Sequence, residues 1–242
     1  LGIGGTLWNA FSRGMLPANV LSSHHLHDLE LSSQSVFAEG TWYLNDQLSL
    51  TAGVRWSDEE KELMDSQFLA SDITGGNFAG AGTLNPVVRN ILFGVLGRDT
   101  YEFPLQKMSE DHVTPSIKVN YEYSDTTRLY LSWAEGYKSG GFDASDNVKR
   151  VNYTTPDSSN RFTSEEATTT EIGIKFDLPD QNLRANVAAF STEYLDMQVS
   201  AFVGASFVVS NAGASTIEGI EGDFEWSPLD GLYVGGAFTY LD

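Results

Sequence analysis

The chain has 242 residues, with 33 acidic against 14 basic side chains, a formal net charge of −19 and no cysteine. That balance argues against nucleic acid as a partner, because gripping phosphates takes clustered Lys and Arg, and no basic residue follows Arg184. No apolar run approaches the roughly 20 residues of a membrane-spanning helix, so any membrane insertion has to be as a β-barrel.

Residues 1 to about 32 show no periodicity. Gly2, Gly4 and Gly5 suggest a loop, and His24-His25-Leu26-His27 is the one histidine cluster. Three close histidines can hold a metal, but no acidic or further His partner recurs at fixed spacing, so a solvated loop and no metal are expected. From about residue 35 every second residue is apolar, the period of a β-strand with one apolar and one polar face. A strand over 35–44 meets the turn Asn45-Asp46-Gln47, whose residues tolerate tight backbone geometry, and a second strand returns from 48 to about 62. A long Gly-containing loop is expected from 65 to about 111, with an apolar stretch at 87–96 able to form a short helix. Strands at 114–123 and 127–137 flank Ser124-Asp125-Thr126, and a second long loop covers 138 to about 162. Strands at 167–177 and 183–194 flank Leu178-Pro179-Asp180-Gln181-Asn182. A shorter outer connection at 196–206 leads to 217–226, the turn Ser227-Pro228-Leu229-Asp230-Gly231, and 232–241. The fold class is therefore all-β: an antiparallel meander of about eight strands.

Short turns at one end and long loops at the other separate this pattern from a soluble β-sandwich and match an outer-membrane barrel. Trp42, Tyr123, Phe176 and Trp226 fall near the short turns, while Trp56, Trp133 and Tyr240 lie farther along the outgoing strands. A tilted strand takes about 9–11 residues to cross a bilayer, so the two sets fit inner and outer aromatic girdles. Alternation then predicts that Leu50, Val54, Leu131, Ile172, Ile174 and Val234 face lipid, and that Thr51, Arg55, Ser132, Glu171, Lys175 and Glu221 face the lumen.

Several segments resemble the TonB-dependent outer-membrane receptors. Leu129 to Phe142, reading LYLSWAEGYKSGGF, resembles that family's strand running into a "GYKSGGF" loop. Residues 164–175, SEEATTTEIGIK, resemble its "PE…YEIGLK" strand. Asn211-Ala212-Gly213 followed by Glu218-Gly219-Ile220-Glu221 resembles "NAG…GVE", with 231–242 its hairpin partner, and 35–60 resembles its "YALFGQ…LTAGLRY" hairpin. The pieces stand in family order over about residues 33–242. The resemblance implies a 22-stranded barrel with an N-terminal plug, energised through TonB, in the outer membrane of a Gram-negative bacterium. It makes this chain a partial barrel domain, from the middle to late strands, without the plug or the terminal strands. The implied function is uptake of a scarce nutrient, foremost a ferric siderophore-type chelate, with haem, cobalamin or a glycan as alternative ligands and a passive porin as the alternative barrel. Implied partners are TonB, the ligand and outer-membrane lipid; no cofactor is implied.

No enzyme is expected. The carboxylate pairs Glu59-Glu60 and Glu165-Glu166, and Glu221 with Asp223, have no nucleophile and base arranged beside them. Glu221, Asp223 and Glu225 alternate as a lumen-facing row does. For ligand contact the candidates are Tyr137, Lys138 and Arg150, at or beyond an outer strand end, where a hydroxyl and cations can meet an anionic chelate. Gly140 and Gly141 are expected to serve loop geometry.

Overall fold

The computed structural model describes residues 22–70, 78–79, 101–102, 105–143, 161–203 and 206–242. In chain order the strands are β1 (Ser22–Tyr43), β2 (Leu48–Ala70), β3 (Phe78–Ala79), β4 (Tyr101–Glu102), β5 (Gln106–Ser124), β6 (Thr127–Lys138) and β7 (Gly141–Phe142). They continue as β8 (Arg161–Phe162), β9 (Glu165–Leu178), β10 (Leu183–Leu195), β11 (Met197–Val203), β12 (Ser206–Ala212), β13 (Ser215–Leu229) and β14 (Leu232–Leu241). One antiparallel sheet carries the path β1-β2-β5-β6-β9-β10-β13-β14, eight strands in meander order, with β3 and β4 paired onto β2. β7–β8 and β11–β12 form separate two-stranded sheets.

The short turns close as their residues dictate. Asn45 Oδ1 accepts from the amides of Gln47 and Leu48, both at 2.9 Å, bridging β1 to β2. Pro179–Gln181 makes a single 3-10 turn between β9 and β10, ended by Asn182 at φ 48°, and Gly231 at φ 81° lets β13 return as β14.

Beyond the turns the strands outrun the periodic segments. β1 begins at Ser22 rather than 35, β2 runs to Ala70 rather than 62, and β5 starts at Gln106 rather than 114. The expected histidine-bearing loop is therefore strand, and the expected outer connection at 196–206 is the start of the β11–β12 hairpin. Alternation is imposed only where one face meets hydrocarbon. Beyond that band both faces can carry charge, as in Asp58-Glu59-Glu60-Lys61-Glu62, while backbone pairing continues unbroken. The expected short helix at 87–96 lies outside the described residues.

The register sorts the side chains. Leu50 pairs with Trp42 and Val119, Val54 with Ala38 and Pro115, Leu131 with Val119 and Ile172, and Ile174 with Leu129 and Val187. These share one apolar face with Trp226, Phe224, Val234 and Phe238. The other face carries Thr51 with Lys118, Ser132 with Glu171, Lys175 with Arg128 and Asn186, and Glu221 with Ala188 and Thr239. Arg55 lies on it too, donating to Ser35 Oγ at 2.9 Å and Ser57 Oγ at 3.1 Å.

Aromatic rings lock this register by lying over glycines in the adjacent strand. On the polar face Tyr130 covers Gly173: a Cβ added there would meet the ring at 2.4–2.6 Å. Lys118 and Lys175 reach the same ring at 4.8 and 5.3 Å, and the Tyr130 hydroxyl donates to Glu171 at 2.6 Å. On the apolar face Phe238 covers Gly222 and Phe224 covers Gly236, a reciprocal pair across β13 and β14. The buried described residues gather at the long-loop end, at Ser57, Leu63, Asp65, Gln106, Gly140, Gly141, Asp143 and Val208, while in mid-sheet Ala188 and the ring-covered Gly173 and Gly222 are buried. Among the described residues no helix is long and apolar enough to cross a membrane.

Candidate functional site

At the long-loop end, beyond Trp56, the polar faces of β2 and β5 meet the end of β6. Ladder pairing between β5 and β6 stops at Ser116 and Ala134, next to Pro115, which has no N–H to donate. Freed from its neighbour, the end of β6 brings Tyr137 onto His112, rings stacked 4.0 Å apart at 18°. The Tyr137 hydroxyl donates to Glu59 Oε1 at 3.0 Å. Lys61 donates to Ser139 Oγ at 2.6 Å and to the Gly140 carbonyl, with Glu59 Oε2 3.8 Å away. Glu110 Oε2 accepts from the Gly140 amide at 2.9 Å and lies 3.6 Å from His112 Nε2.

Electrostatics follow from these contacts. The Ser139 hydroxyl, then Tyr137 and the charge of Lys61, hold the Glu59 carboxyl below its usual 4.5 against the opposing effect of burial. Burial raises the Tyr137 phenol, which therefore stays protonated and a donor. The arrangement is a charged, largely satisfied hydrogen-bond network with no nucleophile–base pair aimed at open space. Among the described residues no group of three or more His, Asp or Glu could hold a metal ion.

Of the residues expected to touch ligand, Tyr137 is half-buried in this network. Lys138 is exposed beside it, its carbonyl accepting from Gln198 at 3.2 Å. Arg150 lies outside the described residues. Gly140 and Gly141 are explained by close approach rather than by unusual φ: an added Cβ would meet Phe162 O at 2.5 Å at the first and the Phe162 ring at 2.7 Å at the second. Sequence reasoning missed His112, Glu110 and Lys61, which converge from strands far apart in the chain. It also missed Asp65, which pairs with His27 at 3.1 Å through the β1–β2 register, an acidic partner that no local spacing could reveal.

Comparison with known proteins adds the family. The family model "TonB dependent receptor-like, beta-barrel" matches residues 10–242. The Pesticin receptor of Yersinia enterocolitica is 24% identical over 192 residues, 79% of this chain and 23% of the relative. The probable TonB-dependent siderophore receptor PiuA of Acinetobacter baumannii is 28% identical over 138 residues, 56% of this chain and 18% of the relative. The chain thus spans about a quarter or less of the curated relatives it matches. Among solved structures, the ferric yersiniabactin uptake receptor FyuA from Yersinia pestis superposes at TM-score 0.62 and 19% identity, over 91% of this chain and 28% of that one. The ferric-catecholate import receptor Fiu of E. coli, closed form, does so at 0.61 and 16%, over 89% and 28%. With apolar and polar faces sorted strand by strand and the family model covering nearly the whole chain, this chain belongs to the TonB-dependent receptors, as part of their β-barrel in the Gram-negative outer membrane.

Proposed function

We propose that the full protein takes up a ferric siderophore-type chelate, with TonB supplying the energy through regions beyond this stretch. The observation that carries the reading is the alignment with a probable siderophore receptor at 28% identity over 138 residues. The fold shared with FyuA and Fiu, whose names give ferric chelates as their cargo, is consistent with it. Tyr137, Lys138 and Arg150 are the proposed contacts. Lys138 is exposed at the β6 end, where its charge can meet an anionic chelate, and Tyr137 is braced beside it by Glu59 and His112. A net charge of −19 opposes anionic ligands at long range; Lys138, Lys149, Arg150 and Arg161 partly offset it within the sequence 138–162, which also carries Asp143, Asp146 and Asp157. The test is growth of a deletion strain on limiting iron with defined ferric siderophores, with and without a working TonB. Rescue that needs both receptor and TonB is expected. Uptake unchanged without TonB would promote the porin reading, and rescue by haem, cobalamin or a glycan alone would move the ligand class.

A further inference from the structure

Three separate sheets meet at the outer end, and among the described residues no backbone ladder joins the two small ones to the large one. Side-chain amides do so instead. Asn211, on β12, faces Thr163 in the link between β8 and β9: its Oδ1 accepts from the Thr163 amide at 2.7 Å and its Nδ2 donates to the Thr163 carbonyl at 3.0 Å. That two-way exchange reproduces a rung of an antiparallel ladder with a carboxamide in place of a second strand. The same Nδ2 reaches the Asp196 carbonyl at 2.7 Å, closing the base of the β11–β12 hairpin. Gln198, on β11, points its Nε2 at three carbonyls: Ser139 and Thr163 at 3.0 Å and Lys138 at 3.2 Å. Its own amide donates to Glu165 Oε2 at 2.6 Å. Asp143, nearly fully buried, accepts from the Val209 amide at 2.8 Å. From the opposite side Lys61 and Glu110 hold Ser139 and Gly140 against the β2–β5 wall.

We propose that Gln198, Asn211 and Lys61 are positioning residues that fuse the base of the second outer loop and the β11–β12 hairpin into one body anchored on the β2–β5 wall. The two segments then cannot move independently, so displacement of one displaces the other. This holds whatever the ligand is, and its test needs none.

The experiment is amide hydrogen exchange on the full-length receptor in detergent, without ligand, comparing wild type with Asn211→Asp, Gln198→Glu and Lys61→Met. The first two substitutions keep shape but turn an N–H donor into an oxygen facing carbonyls. Each removes at least one net hydrogen bond, so amides of 139–143 and of Thr163, remote in sequence from both sites, should exchange about tenfold faster. Lys61→Met, introduced from the other side, should loosen both 139–141 and the β11–β12 hairpin. Amides of Val119, Leu131 and Ile172 should keep their wild-type rates. Faster exchange confined to β11–β12 in Asn211→Asp and Gln198→Glu would overturn the proposal. So would faster exchange across the whole sheet, since the substitution would then weaken the barrel rather than release one loop base.

Discussion

Replacing Gly173 by Ala should destabilise the barrel, and removing the ring of Tyr130 should reverse the sign of that effect. The added Cβ would sit 2.4, 2.5 and 2.6 Å from the Cε1, Cζ and hydroxyl oxygen of Tyr130, distances that Cβ atoms do not adopt, so the ring must move. It is not free to do so. Its hydroxyl is bound to Glu171 at 2.6 Å and its face lies 4.8 Å from Lys118 and 5.3 Å from Lys175. Overpacking of this kind costs about 1–3 kcal/mol. With Tyr130→Ala in place the obstruction is gone, and Ala is then better than Gly in a strand interior by roughly 0.5–1 kcal/mol. The assay is denaturant unfolding of the full-length receptor in detergent, run as a double-mutant cycle over Gly173→Ala and Tyr130→Ala. A Gly173→Ala cost that is equal in the two backgrounds would refute the account of Tyr130 as a ring seated on a glycine.

Two further predictions test the membrane frame and the outer network. Ile172 lies six residues before the end of β9 at Leu178, about 15 Å of depth for a tilted strand, close to the middle of the apolar band. Ile172→Arg should cost roughly 2–4 kcal/mol and reduce assembly of folded receptor in outer-membrane fractions far more than Lys175→Ile on the opposite face; equal assembly of the two variants would reverse or erase the facing. Glu59 has its carboxyl held below 4.5 in the folded state, so its stabilising contacts are complete above that value and fade as pH falls through the lower folded value. Acidification below 4.5 should therefore loosen the amides of 137–140 in wild type, while Glu59→Gln should weaken that pH dependence, with Glu110 still accepting from the Gly140 amide; identical profiles would remove Glu59 from the network.

Within the bilayer band the fold was readable because hydrocarbon enforces the alternation. Leu48 to Trp56 and Ile172 to Phe176 show it residue by residue, and the turn at Asn45 follows from the ability of its side chain to cap two amides. Past Trp56 the signal ends although the strand does not, so β1 upstream of 35 and β5 upstream of 114 were invisible. The candidate site was half legible for a related reason. Tyr137 and Lys138 stand in a recognisable strand end, but Glu59, Lys61, Glu110 and His112 are brought beside that end by the long-range packing of β2 and β5 past the point where the β5–β6 ladder stops. Gly140 and Gly141 were expected to serve loop geometry, and it is their missing side chains that count, because they make room for Phe162.

The β1–β2 hairpin, with strands of 22 and 23 residues, is about 70 Å long, while the apolar band of an outer-membrane barrel is about 25 Å tall. Even after tilt, much of it stands in water on the cell's exterior. There the chain is released from the rule that a one-residue slip drives charge into oil, and Asp58 to Glu62 place five ionisable groups in succession on both faces. The start of that run works as a waterline written into the primary structure. Below it a substitution is judged by the lipid; above it, by hydrogen bonding and whatever the medium brings to the surface. The rim of this wall is thus the part of the protein where evolution can change the outward appearance of the cell without disturbing the pore beneath.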